Sequence, residues 1–414
     1  MRALFLLHNH PERGSHFRAR EIAVRLAARG HAVTIVTTSD RRYYRPTHRG
    51  ARGIGDRGGT LAEIEAPCRT LFNDRQEGWS LFDNGYRLGL ALGGEKWDLV
   101  YGFSHKPDCL LAGLAAKLRG ARLVLDWSDW WGGAEGLYQS CVLESEAFLA
   151  MPAPVRAWRR ATFAADSFLE PRAYAFASAV TLISEEFLSH PGAPRDLPEK
   201  SLVMHSGAPL EQVRPVPAAE ARAACGIELP PGAVVLGYVA NFHTDERLLL
   251  EAFAEVCRVR GDVHLLVVGA GFEKGAAELH EACRGRIHHR GRKPFCEIGA
   301  HLCAADILLL PLTDLALNRA RYPHKLSDYV AAGRPIVACD VGETGRLLRR
   351  YGIGEMTGPT APEFAKGILD LATRPDAWLA KGRQVRDAAE SHFNWDRLCD
   401  GLFGFLSDRL SLQL

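Results

Sequence analysis

Two acidic residues and three tryptophans stand within eight consecutive positions, residues 126–133, which read DWSDWWGG. Carboxylates such as Asp126 and Asp129 accept hydrogen bonds from hydroxyl groups, and aromatic faces pack on the C–H face of a sugar ring. The segment follows a predicted strand, Leu123–Leu125, so it should project from the carboxyl edge of a sheet. We therefore predict a carbohydrate contact here. The structural alternative is that the tryptophans pack under helices and the acids cap a helix or pair with arginine.

A second segment, residues 321–338, reads RYPHKLSDYVAAGRPIVA and indicates a loop, a helix that ends at Gly333 and a buried strand. Backbone N–H groups around His324 and Lys325 lie at the predicted helix N-terminus, where the helix dipole favours a diphosphate. Lys325 adds a positive charge for the same anion. Asp328, about one turn further, is placed to accept two ribose hydroxyls. Its alternative role is to stabilise the helix dipole.

The loop of residues 8–16, HNHPERGSH, precedes the first predicted helix. Gly14 near that helix allows backbone N–H groups to approach an anionic ligand. The loop lacks the GxGxxG fingerprint of nicotinamide-dinucleotide sites. Its histidines, His8, His10 and His16, match no standard zinc spacing, so no metal site is predicted.

The elements that must position these residues alternate between short apolar strands and amphipathic helices, a rhythm typical of parallel α/β sheets. The rhythm runs through the first half and restarts after a proline-rich passage with Pro209, Pro215 and Pro217. We predict an α/β chain of two doubly wound, Rossmann-like domains. Ligands of such sheets bind beyond the carboxyl ends of the strands. The predicted strands are Ala3–Leu7, Ala32–Thr37, Leu99–Phe103, Leu123–Leu125, Ala179–Ile183, Val234–Val239, His264–Val268, Ile307–Leu310 and Pro335–Ala338.

A length of 414 residues agrees with two domains of roughly 200 residues. We expect an N-terminal acceptor-side domain at residues 1–207 and a C-terminal nucleotide-sugar domain at residues 208–393. Residues 394–414 are expected to form a helix that crosses back to the first domain.

The net charge is +2, which disfavours nucleic acid as a partner of the whole molecule. The first sixty residues nevertheless carry twelve arginines against four acids, which suits anionic phospholipid, a phosphorylated substrate or simply a solvated rim.

No apolar run approaches the roughly 18 residues needed to span a bilayer. The short apolar start reads as a strand and not as a signal peptide. Scattered cysteines indicate a reducing compartment, so a cytoplasmic protein is expected, with peripheral contact to the inner membrane face left open.

Residues 323–336 resemble the P-x-K-L-x-[ED]-Y-x-A-x-G-x-P-[IV] signature of GT4-type retaining glycosyltransferases of the GT-B fold. Five further pieces agree with this family in order and spacing. They are Arg29–Thr34, Ala179–Ser184, His205–Gly207, Gly269–Gly271, and Ala304–Ile307 together with Leu310-Pro311. The resemblance spans nearly the whole chain and implies a GT-B fold with two domains facing across a cleft.

By this resemblance Asp328 binds the ribose, Arg290 and Arg292 read the base edge, and Asn241 with Arg247 stands near the basic pair that neutralises the leaving diphosphate. The same resemblance places Gly14, Gly269, Pro323 and His324 around the donor. Three positions depart from the family pattern. Ala320 replaces the acid eight residues before Asp328, Asn241 stands where arginine is frequent, and the histidine after the fifth strand is not located, with Asp126 or Asp129 in that region.

The resemblance implies transfer of a sugar from a nucleotide diphosphate donor, with retention of the anomeric configuration. The helix N-terminus with Lys325 or Arg247 would stabilise the departing diphosphate without a metal or a separate cofactor. The acceptor, a saccharide, a lipid-linked sugar or a small molecule, is expected near Arg13, His16, Arg18 and residues 127–131. The alternatives are a sugar-nucleotide 2-epimerase on the same fold, a catalytically silent partner subunit, which Ala320 supports, and, last, a nicotinamide-dependent oxidoreductase.

Overall fold

The structure is a computed structural model that describes residues 1–39, 45–68, 78–94, 96–239, 245–270, 283 and 285–414. The chain divides into two compact units. The first comprises Met1–His205 and Trp395–Leu414, and the second comprises Ser206–Asn394. Asn241 and Gly271 lie outside the described residues.

In the first unit, the described residues form one eight-stranded sheet in the order β3-β4-β2-β1-β5-β6-β7-β8. All neighbouring strands pair in parallel except β3, which pairs with β4 in antiparallel fashion. The strands are β1 Arg2–Leu6, β2 Ala32–Thr38, β3 Thr47–Ile54, β4 Gly59–Ala66, β5 Leu99–Gly102, β6 Arg122–Trp127, β7 Ala179–Leu182 and β8 Ser201–Val203.

The central strands of this sheet are largely buried and mostly apolar, as expected for strands that helices cover on both faces. The helices of the unit before residue 206 are α1 Ser15–Ala28, α2 Leu81–Leu92, α3 Pro107–Leu118, α4 Glu146–Leu149, α5 Ala153–Ala173 and α6 Leu197–Lys200. A π-helical turn, Tyr138–Val142, and two short 3₁₀ segments, Tyr174–Phe176 and Glu185–Ser189, complete it. The last helix of the chain, which we call α15, is Trp395–Leu410 and packs on α1, where Asp396 accepts a 2.7 Å hydrogen bond from Arg25.

In the second unit, the described residues form a six-stranded, all-parallel sheet in the order β11-β10-β9-β12-β13-β14. Its strands are β9 Val234–Val239, β10 Val263–Val268, β11 Ile287–His289, β12 Ile307–Leu310, β13 Ile336–Cys339 and β14 Glu355–Thr357. Its described helices are α7 Ala218–Ala224, α8 Glu246–Val259, α9 Phe295–Ala304, α10 Ala316–Ala320, α11 His324–Ala332, α12 Gly342–Tyr351, α13 Ala361–Ala372 and α14 Pro375–His392.

Each unit has its own apolar core between sheet and helices. In the first, Phe5 and Tyr101 meet edge to face with ring centroids 5.3 Å apart, and Tyr101 stacks on Phe103 at 4.5 Å. In the second, α8 and α13 pack on each other, and α8 contacts β10 while α13 contacts β13 and β14, through a core that includes Phe253 and Ile368. The predicted pair of doubly wound sheets is therefore confirmed. Among the described helices, none is both long and apolar enough to cross a bilayer.

Candidate functional site

In the second unit, Lys325 lies at the N-terminus of α11, close to the end of β9. Pro323 occupies the N-cap, and its side chain does not cap the first turn because the proline ring carries no hydrogen-bond acceptor. The Lys325 amine donates a 3.1 Å hydrogen bond to the hydroxyl of Tyr238 and lies 4.3 Å from the centre of that ring. The helix terminus and the amine thus present positive charge at the carboxyl edge of this sheet.

The environment of Lys325 disfavours its charge. Burial, joined by the nearby Arg321 guanidinium, lowers the pKa of the Lys325 amine to about 7, although Asp245 and Glu246 act in the opposite direction. An amine with this pKa gains a proton readily when an anion arrives, because a negative ligand favours the charged form.

Asp328 lies one turn further along α11, on a helix whose neighbouring residues are buried. Tyr329 fixes the helix to the sheet, since its hydroxyl accepts a 3.0 Å hydrogen bond from the backbone N–H of Val239. Burial raises the pKa of the Asp328 carboxyl to about 7. A carboxyl and an amine that both have shifted pKa values and stand one helical turn apart are typical of a functional site.

A buried carboxylate that the sequence analysis did not single out, Asp245, holds this edge together. Its oxygens accept hydrogen bonds from Thr313, at 2.8 Å from the backbone nitrogen and 2.7 Å from the hydroxyl, from the Asn318 amide at 3.0 Å and from Arg321 at 2.9 Å. Asp245 begins α8, whereas its partners lie after β12 and before α11. No local sequence pattern links residues 68 to 76 positions apart, so only the fold reveals this network.

The hydrogen bonds of Arg247 and Arg290, two further residues predicted in this unit, join them to partners other than Lys325. Arg247 is on α8 with 88% of its side chain exposed, and it pairs with Glu251 at 2.6 Å. The guanidinium of Arg290 donates to the carbonyl of Cys225 at 2.6 Å, which closes the end of α7. Arg292 and His324 are exposed.

Gly269 follows β10 with a φ of 146°, a backbone conformation that favours glycine. Its N–H donates to the carbonyl of Gly291 at 2.9 Å, so the ends of β10 and β11 are joined. Asn241, the remaining predicted donor residue, falls outside the described residues.

In the first unit, Gly14 forms the N-cap of α1 with a φ of 52°. A Cβ at this position would stand 2.8 Å from the side-chain nitrogen of Asn9, so both the dihedral angle and the space demand glycine. The loop between β1 and α1 therefore passes close to the first turn of α1, and the approach of an anionic ligand to that turn stays a prediction.

Asp126, at the end of β6, is 1% exposed and lies inside the unit. It accepts a 3.1 Å hydrogen bond from Arg18 of α1 and a second from the hydroxyl of Thr181 on β7. Arg18 also donates to the carbonyl of His205 at 3.1 Å. Asp126 therefore contacts arginine, as the structural alternative anticipated, and its carboxylate is enclosed by protein.

The loop after β6 is held by Glu170 of α5. Its carboxylate accepts hydrogen bonds from the indole of Trp127 at 3.0 Å and from the backbone N–H groups of Trp131 at 2.9 Å and Gly132 at 2.7 Å. Burial raises the pKa of Glu170 to about 7, and these hydrogen bonds oppose the rise because they favour the carboxylate.

The three tryptophans of the loop divide into one core residue and two surface residues. Trp127 is fully buried and stacks on Tyr174 at 4.1 Å. Trp130 and Trp131 are partly exposed. Trp131 carries the Lys106 amine 4.1 Å above its ring, and Asp129 lies partly exposed in the same loop. Burial excludes a sugar contact at Trp127, and at the partly exposed Trp130 and Trp131 this contact stays a prediction.

Comparisons with known proteins agree with this two-unit architecture. Residues 13–223, just over half of the chain, match the model of the glycosyl transferase 4-like domain, and residues 233–374 match that of glycosyl transferases group 1. The chain belongs to the glycosyltransferase 4-like family.

One curated relative of this glycosyltransferase 4-like protein is D-inositol 3-phosphate glycosyltransferase from Segniliparus rotundus. It is 27% identical over 217 residues, which cover 50% of this chain and 46% of the relative. The match therefore spans about half the length of each protein.

Solved structures share the fold across the whole glycosyltransferase 4-like chain. Sucrose-phosphate synthase from Thermosynechococcus elongatus has a TM-score of 0.70 at 18% identity, covering 99% of this chain and 98% of that one. HepE from Anabaena, in complex with UDP and glucose, has a TM-score of 0.67 at 16% identity, covering 98% and 99%. The starch synthase IV catalytic domain from Arabidopsis thaliana, bound to ADP and acarbose, has a TM-score of 0.68 at 12% identity, covering 99% of each chain. The GT-B fold class is confirmed, while the signature subgroup stays a prediction.

The structure also draws attention to a residue that the sequence analysis of this glycosyltransferase 4-like protein did not single out. His105 follows β5, which ends at Gly102. It is 1% exposed, and neither ring nitrogen has a hydrogen-bond partner among the described residues. Burial, Lys106 and His190 hold the pKa of His105 well below its usual range. The sequence feature that could have identified His105 is the segment of residues 104–107, Ser-His-Lys-Pro, which stands between a predicted strand and a predicted helix.

Within the described residues of the protein, no group of three or more histidine, cysteine, aspartate or glutamate side chains is arranged to hold a metal ion. Ala320, which replaces the family acid, is fully buried at the end of α10.

Proposed function

We propose that the protein transfers a sugar from a nucleotide diphosphate sugar to an acceptor and retains the donor's anomeric configuration. The observation that carries the proposal is the first turn of α11, where the Lys325 amine and the Asp328 carboxyl stand one turn apart beside the end of β9. Membership in the glycosyltransferase 4-like family supports the reaction class.

The donor's diphosphate binds at the N-terminus of α11. As the bond from the anomeric carbon to the diphosphate breaks, negative charge grows on the leaving oxygen. Lys325 and the N–H groups of the first turn stabilise that charge, and no metal ion takes part in this step. Asp245 holds Arg321 in place, so a second cation is positioned before the donor arrives. Asp328 accepts the ribose hydroxyls.

The acceptor binds the first unit at the loop after β6. Trp130 and Trp131 offer aromatic faces for a sugar ring, and Asp129 offers a hydrogen-bond acceptor. His105 is buried and adjoins Lys106 in the chain, whose amine lies over the Trp131 ring. We propose that Asp126 acts as a positioning residue, because its carboxylate contacts Arg18 and Thr181 rather than open space.

Exposed arginines support a lipid-linked acceptor and peripheral contact with an anionic membrane. The edge strand β3 is exposed along nearly all of its length and carries Arg49 and Arg52. Anionic lipid attracts such side chains by roughly 1 kcal/mol each. Arg52→Glu should therefore reduce binding to vesicles that contain phosphatidylglycerol, measured by co-sedimentation, and should leave neutral vesicles unaffected.

The decisive experiment incubates purified protein with a panel of sugar nucleotides, with and without saccharide and lipid acceptors, in the presence of EDTA. Transfer, or slow release of nucleoside diphosphate, supports the proposal, and proton NMR of the product at early times reports retention. Interconversion of sugar nucleotides without transfer would favour the epimerase instead. Binding without turnover would favour a silent partner subunit.

Lys325→Ala is the variant that tests the proposed donor site. Lys366→Ala, on the exposed face of α13, is its control. Turnover should fall strongly in the first and stay unchanged in the second. Equal activity of both variants contradicts the proposal.

A further inference from the structure

Helix α2 has a polar face that is buried and an apolar face that is exposed. Asp83 and Arg87 are buried and form an ion pair. Arg87 also donates a 2.8 Å hydrogen bond to the carbonyl of Leu7, and the hydroxyl of Thr38 donates to Asp83 at 2.8 Å. These bonds tie the polar face to the ends of β1 and β2, so the apolar face is held outward.

The outward face of α2 is a stripe of leucine, phenylalanine and glycine. Leu81, Phe82 and Leu92 are 82%, 47% and 54% exposed. Between them stand Gly85 and Gly89, one helical turn apart, and a Cβ at either would meet nothing within 4 Å. The stripe therefore has bulky side chains at its ends and a shallow groove at its centre.

Helix α3 packs beside α2 and widens the stripe. Its residues Leu111 and Leu118 are 45% and 90% exposed. We call the exposed surface of Leu81, Phe82, Gly85, Gly89, Leu92, Leu111 and Leu118 the α2/α3 face. With side-chain areas on the order of 200 Å², this face exposes on the order of 600 Å², close to the roughly 800 Å² that each partner contributes to a stable interface.

The charges around the α2/α3 face indicate whether it suits an apolar protein surface or a lipid surface. The face itself carries no charged side chain. Of the cations at its border, Lys117 donates to the carbonyl of Phe176 at 2.6 Å, and Arg119 donates to those of Ala91 and Gly93 at 3.3 Å each. Burial of the face itself desolvates no charged side chain, so it suits an uncharged apolar partner better than a layer of lipid phosphates.

We propose that the α2/α3 face is the contact surface of a homodimer, in which it packs on the same face of a second copy of this chain. A two-fold axis gives a self-complementary contact, in which the glycines at the centre of α2 let the paired helices of the two copies approach closely. The helices α2 and α3 run parallel to each other, since both return the chain between parallel strands. A two-fold axis perpendicular to them makes the paired helices antiparallel and keeps the Lys117 ends apart.

The test is the mass of the full chain in solution, measured by sedimentation velocity from 0.1 to 100 μM. We expect a concentration-dependent dimer. Gly85→Leu fills the groove, has open space for its side chain and raises helix propensity, so the monomer should fold at least as well. Its dimer should dissociate at least tenfold more readily, and Leu118→Glu should act in the same direction. Leu379→Glu, at a leucine of α14 that is 69% exposed, is the control and should leave the dimer intact.

A monomer at every concentration overturns the proposal, and so does a dimer that Gly85→Leu and Leu118→Glu do not weaken. Vesicle binding that these two variants abolish, from a chain that stays monomeric, overturns it in favour of a lipid surface.

Discussion

The guanidinium of Arg18 lies 3.1 Å from the carboxylate of Asp126, although the two residues stand 108 positions apart in the chain. The pair joins α1, which begins at the Gly14 loop, to the end of β6, where the tryptophan loop starts. Both side chains are buried, so each charge depends on the other for its compensation. Two loops at the carboxyl edge of the first sheet are thereby held in fixed relation.

Asp126→Ala should destabilise the first unit strongly, because it leaves the Arg18 charge buried without its partner. The expected loss of unfolding free energy is about 3–5 kcal/mol, the range for breaking a buried ion pair. Urea denaturation followed by tryptophan fluorescence measures it, and Asp56→Ala, at an exposed site, is the control. Unchanged stability with lost turnover would return Asp126 to the group of residues that touch the substrate.

The affinity for a nucleoside diphosphate should fall as the pH rises from 6 to 8.5. The pKa of Lys325 is about 7 in the free protein, so its amine is charged at pH 6 and largely neutral at pH 8.5. An anion binds the charged form, and affinity should weaken by up to about tenfold per pH unit above 7. Calorimetry with UDP and ADP tests this. Lys325→Met should flatten the profile, and an identical pH dependence in that variant would exclude Lys325 as its origin.

Asp328→Asn should stabilise the protein at pH 8 and yet weaken donor binding. The folded pKa of Asp328 is about 7, above its ordinary value of 3.8, so its contribution to stability is fully present below pH 3.8 and is lost as the pH rises through 7. Removing the charge at pH 8 should raise Tm by roughly 2–4 °C, the shift that corresponds to about 1 kcal/mol in a domain of this size.

The same substitution should reduce nucleotide affinity by about 1–3 kcal/mol, since ribose hydroxyls lose a charged acceptor. Thermal unfolding at pH 5 and pH 8 and nucleotide titration supply the two measurements, with Asp370→Asn on α13 as the control. Unchanged affinity would remove Asp328 from the donor site.

Glu170→Ala should loosen the loop that carries Trp130 and Trp131. The substitution leaves the indole N–H of Trp127 and two backbone N–H groups without their acceptor, at a cost of about 1–3 kcal/mol for each donor that stays unsatisfied. We expect a raised KM for the acceptor with donor affinity unchanged. Glu199→Ala, at an exposed site, is the control. A rise in donor KM alone would contradict this assignment of the loop to the acceptor.

Much of the fold was readable from apolar periodicity. The predicted strands at Ala32–Thr37 and Val234–Val239 agree with β2 and β9 within one residue, because buried parallel strands are continuous apolar runs. The edge strand β3 was missed, since its residues are exposed and rich in arginine and glycine. Helix α2 carries its polar residues inward, which reverses the usual amphipathic signal.

The sequence by itself determined the α/β class and the helix that begins at His324, because each depends on residues close together in the chain. Only the tertiary structure decided that Asp126 faces Arg18, that Trp127 belongs to the core, and that Asp245 gathers Thr313, Asn318 and Arg321. Burial and pairing arise where distant segments meet. A charge or an indole therefore has no assigned role until the fold supplies its neighbours.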